Sequence, residues 1–171
     1  MAHHKVQVSS DVRQHTDTAP QLVATNAEAR SNPTTKFKGC AVKLGYTIIY
    51  VPNVESSLWF FGHAFGLEQK FLHESGDYGE LKTGETTLSF ASHTLGEMNF
   101  PEGHVRASDS KQPLGMEIGL VTEDVHAAHK SALAHGASEI SAPTQKPWGQ
   151  VVSYVRAPDG TLIELCTPVP P

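Results

Sequence analysis

The chain has 171 residues, with 13 Lys and Arg against 18 Asp and Glu, and its formal net charge at pH 7 is −5. This length fits one domain, or one domain with a tail, and the mildly acidic charge argues against nucleic-acid or anionic-membrane partners. No apolar run reaches the roughly 18 residues that a membrane-spanning helix needs. The two cysteines, Cys40 and Cys166, are too few and too far apart for a disulfide scaffold or a thiolate zinc site.

The N-terminal stretch differs in composition from the rest of the chain. Every aromatic residue lies at or after Phe37, and residues 1–36 are rich in Ser, Thr, Ala, Asn and Gln. A segment with so little large apolar surface can hardly offset the entropy of ordering it, and this one lacks the apolar core of a secretory signal. We therefore predict a flexible N-terminal arm over residues 1–42, a domain over residues 43–169, and a cytoplasmic protein.

The first predicted module covers residues 43–95. Apolar alternation in Tyr46–Val51 indicates a strand, and the Asn53 that follows is suited to capping a helix. The helix itself is indicated by an apolar stripe at helical spacing, formed by Val54, Leu58, Phe61 and Phe65. The remaining expected strands lie near Glu68–Leu72, Asp77–Lys82 and Thr83–Phe90.

The same plan returns in a second module over residues 114–169, after a linker at 96–113 that contains Gly, Pro and Ser. Glu117 begins a strand 71 residues after Tyr46, and Asp124 is placed to cap the helix that follows it. The other expected elements are a helix from Val125 to His135, strands near Ser138–Ile140 and Val151–Arg156, and a turn with an apolar strand over Pro158–Leu165. The sequence therefore predicts βαβββ twice, and the two copies should pack together or against another chain, because either alone leaves a sheet face uncovered.

Paired βαβββ modules of this length resemble the vicinal oxygen chelate superfamily, which includes glyoxalase I, bleomycin resistance proteins and extradiol dioxygenases. The matching strings are Val51–Val54 at the entry to the first helix, Gly66-Leu67 after it, and Pro158–Leu165. The resemblance covers roughly residues 43–169. It implies an α+β fold in which paired βαβββ modules form a cup-shaped mixed sheet, and it implies a homodimer.

The resemblance also implies where a metal would bind. In metal-dependent members, four ligands from the first and last strands of the modules point into the cup, and the matching positions here are Tyr46, Ser89, Glu117 and Glu164. Glyoxalase I has His, Glu or Gln at all four positions, so this chain departs from the pattern in its first module. Glu117 and Glu164 are oxygen ligands suited to a hard ion such as Mg²⁺ or Mn²⁺. Tyrosine would usually need deprotonation to bind well, and serine is a weak ligand.

Other side chains share the cup-facing side of the strands if the period of two holds. Ile48 and Tyr50 are in phase with Tyr46, and His93 is in phase with Ser89. Trp148 lies in a Pro-bracketed loop, where related proteins often place an aromatic residue over the ligand; the alternative is a Trp that caps the core. The candidate ligand-binding residues are Tyr46, Ile48, Tyr50, Ser89, His93 and Trp148.

The remaining histidines and the second cysteine receive structural interpretations. His126 and His129 stand at helical spacing, but a solvated helix face explains them better than a metal pair. Cys166 is expected to be a buried small side chain, because a nucleophile would need a nearby base. Four further histidines without a partner at ligand spacing are expected on the surface or in loops: His63, His73, His104 and His135.

Three functional hypotheses remain open. In the first, the protein binds a small apolar or aromatic molecule in the cup, as bleomycin resistance proteins do, with an incomplete metal site. In the second, it is a glyoxalase-like isomerase or lyase in which Glu117 and Glu164 hold a divalent ion (Mn, Mg, Ni or Zn) and one of them moves a proton as the catalytic residue. In the third, the cup is vestigial and the arm mediates contacts.

Overall fold

A computed structural model of the protein describes residues 42–100 and 102–169. The predicted arm lies outside these residues, except for Val42. The described residues contain two four-stranded mixed sheets. Each sheet is covered on one face by a helix of its own module.

Sheet one follows the order expected from the first half of the sequence. Its elements are β1 (Tyr46–Val51), α1 (Val54–Phe65), β2 (Gln69–Leu72), β3 (Tyr78–Leu81) and β4 (Thr87–Ser92). The strands are arranged β1-β4-β3-β2, with β1 parallel to β4 and the other neighbours antiparallel.

The segment between the modules differs from the predicted loop. A short helix, α2 (His93–Asn99), begins within the first module and continues beyond Gly96, and a single 3₁₀ turn covers Ala107–Asp109. The Ser92 side chain caps α2 by accepting a hydrogen bond from the backbone N–H of Leu95 at 3.1 Å. Gly96 lies in the middle of α2, and the sequence predicted a loop there because glycine is a weak helix former.

Sheet two repeats the architecture. Its elements are β5 (Glu117–Val121), α3 (Val125–Ala134), β6 (Ser138–Gln145), β7 (Val151–Arg156) and β8 (Leu162–Cys166). The strand order is β5-β8-β7-β6, and β5 is parallel to β8. The expected α+β fold of two βαβββ modules is therefore confirmed, although β6 is longer than predicted.

Both principal helices begin at the residues that the sequence indicated. Asn53 accepts a hydrogen bond from the backbone N–H of Ser56 at 2.7 Å, and Asp124 accepts one from Ala127 at 2.9 Å. Each bond satisfies one of the donors that a helix start leaves unpaired. α1 ends at Gly66, whose φ of 70° lies in the left-handed region that glycine adopts without strain.

The two modules share one hydrophobic core. Helix α1 packs on sheet one, α3 packs on sheet two, and the two helices contact each other. The largest fully buried apolar side chains of this core come from both modules: Val51, Val54, Phe61, Leu81, Phe90, Val125, Val155, Ile163 and Leu165. The candidate site therefore lies on the other face of each sheet, which the core does not cover. No helix in residues 42–100 and 102–169 has the length and apolar character that a membrane span requires.

Candidate functional site

The outer face of sheet one begins with three side chains of β1. Tyr46, Ile48 and Tyr50 alternate with the buried Ile49 and Val51, as a strand with one packed face requires. Tyr46 is 53% exposed and Ile48 is 42% exposed. The three side chains that the sequence placed on one side of β1 therefore share the face that the core does not cover.

Ser89 lies on the neighbouring strand, opposite Ile48 in the parallel register, and has no exposed surface. Its Oγ is 3.1 Å from the Tyr78 hydroxyl, which donates a hydrogen bond to Glu80 at 3.1 Å, and Glu80 is also paired with Lys70 at 2.7 Å. Burial, with Glu80 contributing, raises the pKa of Tyr78. The Ser89 hydroxyl is therefore already hydrogen-bonded within sheet one.

Glu117 and Glu164 share the corresponding face of sheet two. Glu117 is exposed at the start of β5, and Glu164 lies on β8 opposite Gly119. The Tyr154 hydroxyl donates a hydrogen bond to Glu164 at 2.5 Å, and this bond, with burial, raises the pKa of Tyr154 to about 12. Cys166 is buried as expected, and burial and the Glu164 carboxylate raise its pKa, so its thiol is a poor nucleophile.

The four positions of the predicted metal site are thus divided into two pairs. Tyr46 and Ser89 are on one face of sheet one, and Glu117 and Glu164 are on one face of sheet two. Among the described residues, no hydrogen bond or ion pair joins one pair to the other. Each polar network stays within its own module.

The donor chemistry of these positions does not fit the metal site of metal-dependent members. Ser89 is buried and already hydrogen-bonded, and Tyr46 offers a phenol rather than an anionic or imidazole ligand. The two carboxylates come from one module, and within residues 42–100 and 102–169 no three His, Cys, Asp or Glu side chains form a group that could hold an ion. The residues present therefore do not fit a catalytic metal at this site.

A cavity of about 230 Å³ brings residues of both modules together. Ile48 and Tyr50 line it from β1, and Glu117 lines it from β5. The other side chains at its wall are mainly apolar. They come from β1, from the linker, and from β5, β8 and the residues just before these two strands: Ile49, His104, Val105, Ala107, Leu114, Met116, Ile118, Thr161 and Leu162. Of the predicted ligand-binding residues, Ile48 and Tyr50 are at this cavity, whereas Tyr46, Ser89, His93 and Trp148 are not among its lining residues.

His104 is a site residue that sequence reasoning missed. We expected it on the surface or in a loop without a partner, but its Nε2 lies 2.8 Å from Nδ1 of His93, and its ring centroid is 5.1 Å from that of Tyr50. His93 is buried, and burial, followed by the charges of Arg106 and His104, lowers its pKa. A separation of 11 positions along the chain is not a ligand spacing, since only the path of the linker brings the two histidines together.

Two further expectations are corrected. His129 does not belong to a solvated helix face; it is buried, and its Nε2 is 2.8 Å from Glu139 of β6, whereas His126 is exposed as expected. Trp148 does not cap the core, because 60% of its surface is exposed, and its Nε1 donates a hydrogen bond to Gln150 at 2.8 Å. The surroundings of both side chains depend on how β6 and β7 pair. Helical spacing and loop composition do not predict this pairing.

Comparison with known proteins gives one consistent result. A sequence model of the Glyoxalase/Bleomycin resistance protein/Dioxygenase superfamily matches residues 43–165. No curated protein matches this chain.

Solved structures with the same architecture come from several bacteria. A glyoxalase/bleomycin resistance protein/dioxygenase family enzyme from Burkholderia phytofirmans PsJN is 18% identical, with a TM-score of 0.61, over 74% of this chain and 98% of that one. A glyoxalase-related enzyme from Fulvimarina pelagi is 16% identical, with a TM-score of 0.63, over 74% and 88%. A superfamily member from Sphaerobacter thermophilus is 22% identical, with a TM-score of 0.55, over 74% and 98%. At these identities the likeness concerns the fold alone.

Proposed function

The chain belongs to the Glyoxalase/Bleomycin resistance protein/Dioxygenase superfamily, and we propose that it uses this fold to bind a small apolar or aromatic molecule without a catalytic metal. The observation that carries the proposal is the cavity between the modules. Its wall is mainly aliphatic and aromatic, and Glu117 is its one charged residue within the described part of the chain. Ligand pockets in proteins have this composition, with few polar groups that fix orientation.

The size and polar groups of the cavity narrow the ligand class. At about 230 Å³ it is smaller than the roughly 300–1,000 Å³ of pockets for drug-sized molecules. The ligand is therefore small, or it extends from the cavity onto the exposed face that carries Tyr46. Tyr50 offers an aromatic ring for stacking, while His104 and Glu117 offer hydrogen-bonding groups at the wall.

Binding can be tested by blocking the cavity. Met116 lines the cavity and is 61% exposed, so Met116→Arg places a long charged side chain at the wall with little cost to the core. Met98 on α2 is 76% exposed and is not a lining residue, so Met98→Arg is the matched control. Neutral aromatic compounds that raise the thermal unfolding midpoint of the native chain should lose at least tenfold in affinity with Met116→Arg and keep it with Met98→Arg. Equal binding by both variants would place the ligand elsewhere.

One observation favours the second candidate function, a metal-dependent isomerase or lyase. Glu117 and Glu164 share a face of sheet two, and both raise the pKa of Tyr154 through their charge. If this pair holds a divalent ion, the purified protein should bind Mn²⁺, Mg²⁺, Ni²⁺ or Zn²⁺ stoichiometrically and lose it in Glu164→Gln. If Glu164→Gln still binds the ligand and the native chain holds no stoichiometric ion, the metal-dependent function is contradicted and metal-independent binding is supported.

We also propose that the protein forms a homodimer. Three strands at sheet edges, β2, β5 and β6, each carry an exposed large apolar side chain, namely Phe71, Val121 and Ile140. Exposed strand edges are surfaces on which a second chain can pair, and burial of these side chains would favour such pairing. The molar mass in solution, measured by light scattering, tests this proposal, and a strictly monomeric mass contradicts it. A cytoplasmic location and the absence of nucleic-acid and membrane partners stay predictions.

A further inference from the structure

Two histidines at the ends of the principal helices form a cluster that the cavity does not use. His63 lies in the last turn of α1, His135 directly follows α3, and their ring centroids are 6.1 Å apart. Trp59 completes the cluster, because its ring stacks on His63 at 4.3 Å and meets the edge of His135 at 5.8 Å. His63 and Trp59 are exposed. The cluster is therefore open to ions from solvent.

The hydrogen bonds of both rings determine which nitrogen is available. His63 Nδ1 is 2.8 Å from the carbonyl oxygen of Trp59, and His135 Nδ1 is 2.8 Å from that of Ser131. A carbonyl oxygen can only accept, so each neutral ring carries its proton on Nδ1 and keeps a lone pair on Nε2. Histidines that bind metals typically donate their second N–H to a carbonyl or carboxylate in this way.

The position of the two rings adds an electrostatic preference for cations. The C-terminal end of a helix carries a partial negative charge that favours cations within its last turn. Both histidines stand at such ends, one in each module, and α1 and α3 contact each other. The partial negative charges of two helix ends therefore lie close to the two imidazole rings.

The distance between the rings is at the upper limit for a single shared ion. A nitrogen ligand lies about 2 Å from a zinc ion, which places each ring centre about 3 Å from the ion and two ring centres at most about 6 Å apart. The observed 6.1 Å is close to this limit. Two imidazole rings at this separation can share one ion that lies nearly on the line between their centres.

We propose that His63 and His135 bind one late first-row divalent ion, such as Zn²⁺, Cu²⁺ or Ni²⁺, through their Nε2 atoms, with water at the remaining positions. Imidazole is a preferred ligand of these ions, and Cu²⁺ binds most tightly among them. The site is separate from the candidate pair Glu117 and Glu164 and independent of the proposed ligand binding.

Trp59 supplies a direct probe for this proposal. The chain has two tryptophans, so Trp59 is the single indole of the full-length Trp148→Phe protein. Because a bound paramagnetic ion quenches a neighbouring indole, titration with Cu²⁺ should quench Trp59 saturably. The midpoint should rise at least tenfold when His63→Gln or His135→Gln is added.

His126→Gln is the matched control, since His126 is an exposed histidine of α3 outside the cluster. It should leave the midpoint unchanged, and Zn²⁺ should raise the thermal unfolding midpoint of the parent but not that of His63→Gln. His63 is exposed, so its replacement leaves the fold intact even if His135→Gln disturbs the end of α3. Midpoints within twofold for the parent and His63→Gln, or an equal loss in His126→Gln, would overturn the proposal.

Discussion

At the scale of single residues, the pair His93 and His104 links the cavity to the body of the first module. Their nitrogens are 2.8 Å apart, and the outer nitrogens, His93 Nε2 and His104 Nδ1, are buried without a hydrogen-bond partner among the described residues. Arg106, Asp109 and Glu97 act on His93 through their charges. A proton added to His93 would thus be buried beside a second imidazole and near a guanidinium, and this explains why its pKa is lowered.

This arrangement predicts a loss of stability in mild acid. The folded pKa of His93 lies below its usual value of 6.5, so as pH falls through 6.5 the unfolded chain takes up the proton first and the free energy of unfolding decreases. The loss is complete once pH falls below the folded pKa. Urea unfolding at pH 7.5 and 5.5 should show a smaller pH dependence in His93→Gln than in the native chain. The same replacement at the exposed His73 is the matched control, and equal slopes in all three proteins would contradict this account.

Only part of the site could be predicted at this scale. Ile48, Tyr50 and Glu117 follow from alternation along β1 and from the internal repeat, because a period of two fixes which side chains share a face. His104 meets His93 because of the path of the linker, and Tyr154 meets Glu164 because of the register of the strands. Neither leaves a local signal in the sequence.

At the scale of elements, helix α2 is the clearest departure from the sequence analysis, and Gly96 explains it. A Cβ atom at Gly96 would lie 2.8 Å from Cδ1 of Tyr50 and 3.1 Å from Cε1 of His104. Gly96 therefore allows α2 to pack closely on two cavity residues, and it does not mark a loop. The repeated βαβββ order, by contrast, was predictable because caps, apolar stripes and turn residues are local in both modules.

A pair of glycine replacements tests this explanation. In a helix, Gly→Ala ordinarily stabilises by about 1 kcal/mol, and Gly62→Ala in α1 should do so, since its Cβ would meet only the Leu67 carbonyl oxygen, at 3.4 Å. Gly96→Ala should instead lower the free energy of unfolding, because the Tyr50 ring must move. Urea unfolding of the two variants gives the comparison. A gain in Gly96→Ala equal to that in Gly62→Ala would show that α2 does not need close contact with Tyr50.

At the scale of the whole molecule, one buried hydrogen bond joins the modules. Ser57 of α1 donates to Asp159 at 2.6 Å, and the other carboxylate oxygen of Asp159 accepts from the Thr161 backbone at 3.0 Å. Both Ser57 and Asp159 are buried. Asp159 belongs to the string Pro158–Leu165 that resembles the superfamily, so this string also holds module one against module two.

Removal of this bond should weaken both modules together. Ser57→Ala leaves a buried carboxylate oxygen without its partner, and we expect a loss of about 1–3 kcal/mol in the free energy of unfolding. Because the core is shared, unfolding should stay a single transition. Ser56→Ala changes an exposed neighbour whose hydroxyl makes no hydrogen bond in the described residues, and it should cost less than about 0.5 kcal/mol. Separate transitions for the two modules would contradict a common core.

The central claim is that the cavity between the modules binds its ligand without a metal. Calorimetric titration of an aromatic ligand into the full-length protein, before and after treatment with a strong chelator, tests it most directly. We predict the same affinity in both states and in Glu164→Gln, with at least a tenfold loss in Met116→Arg. Binding that disappears with the chelator, returns with a divalent ion and is absent in Glu164→Gln would contradict the claim.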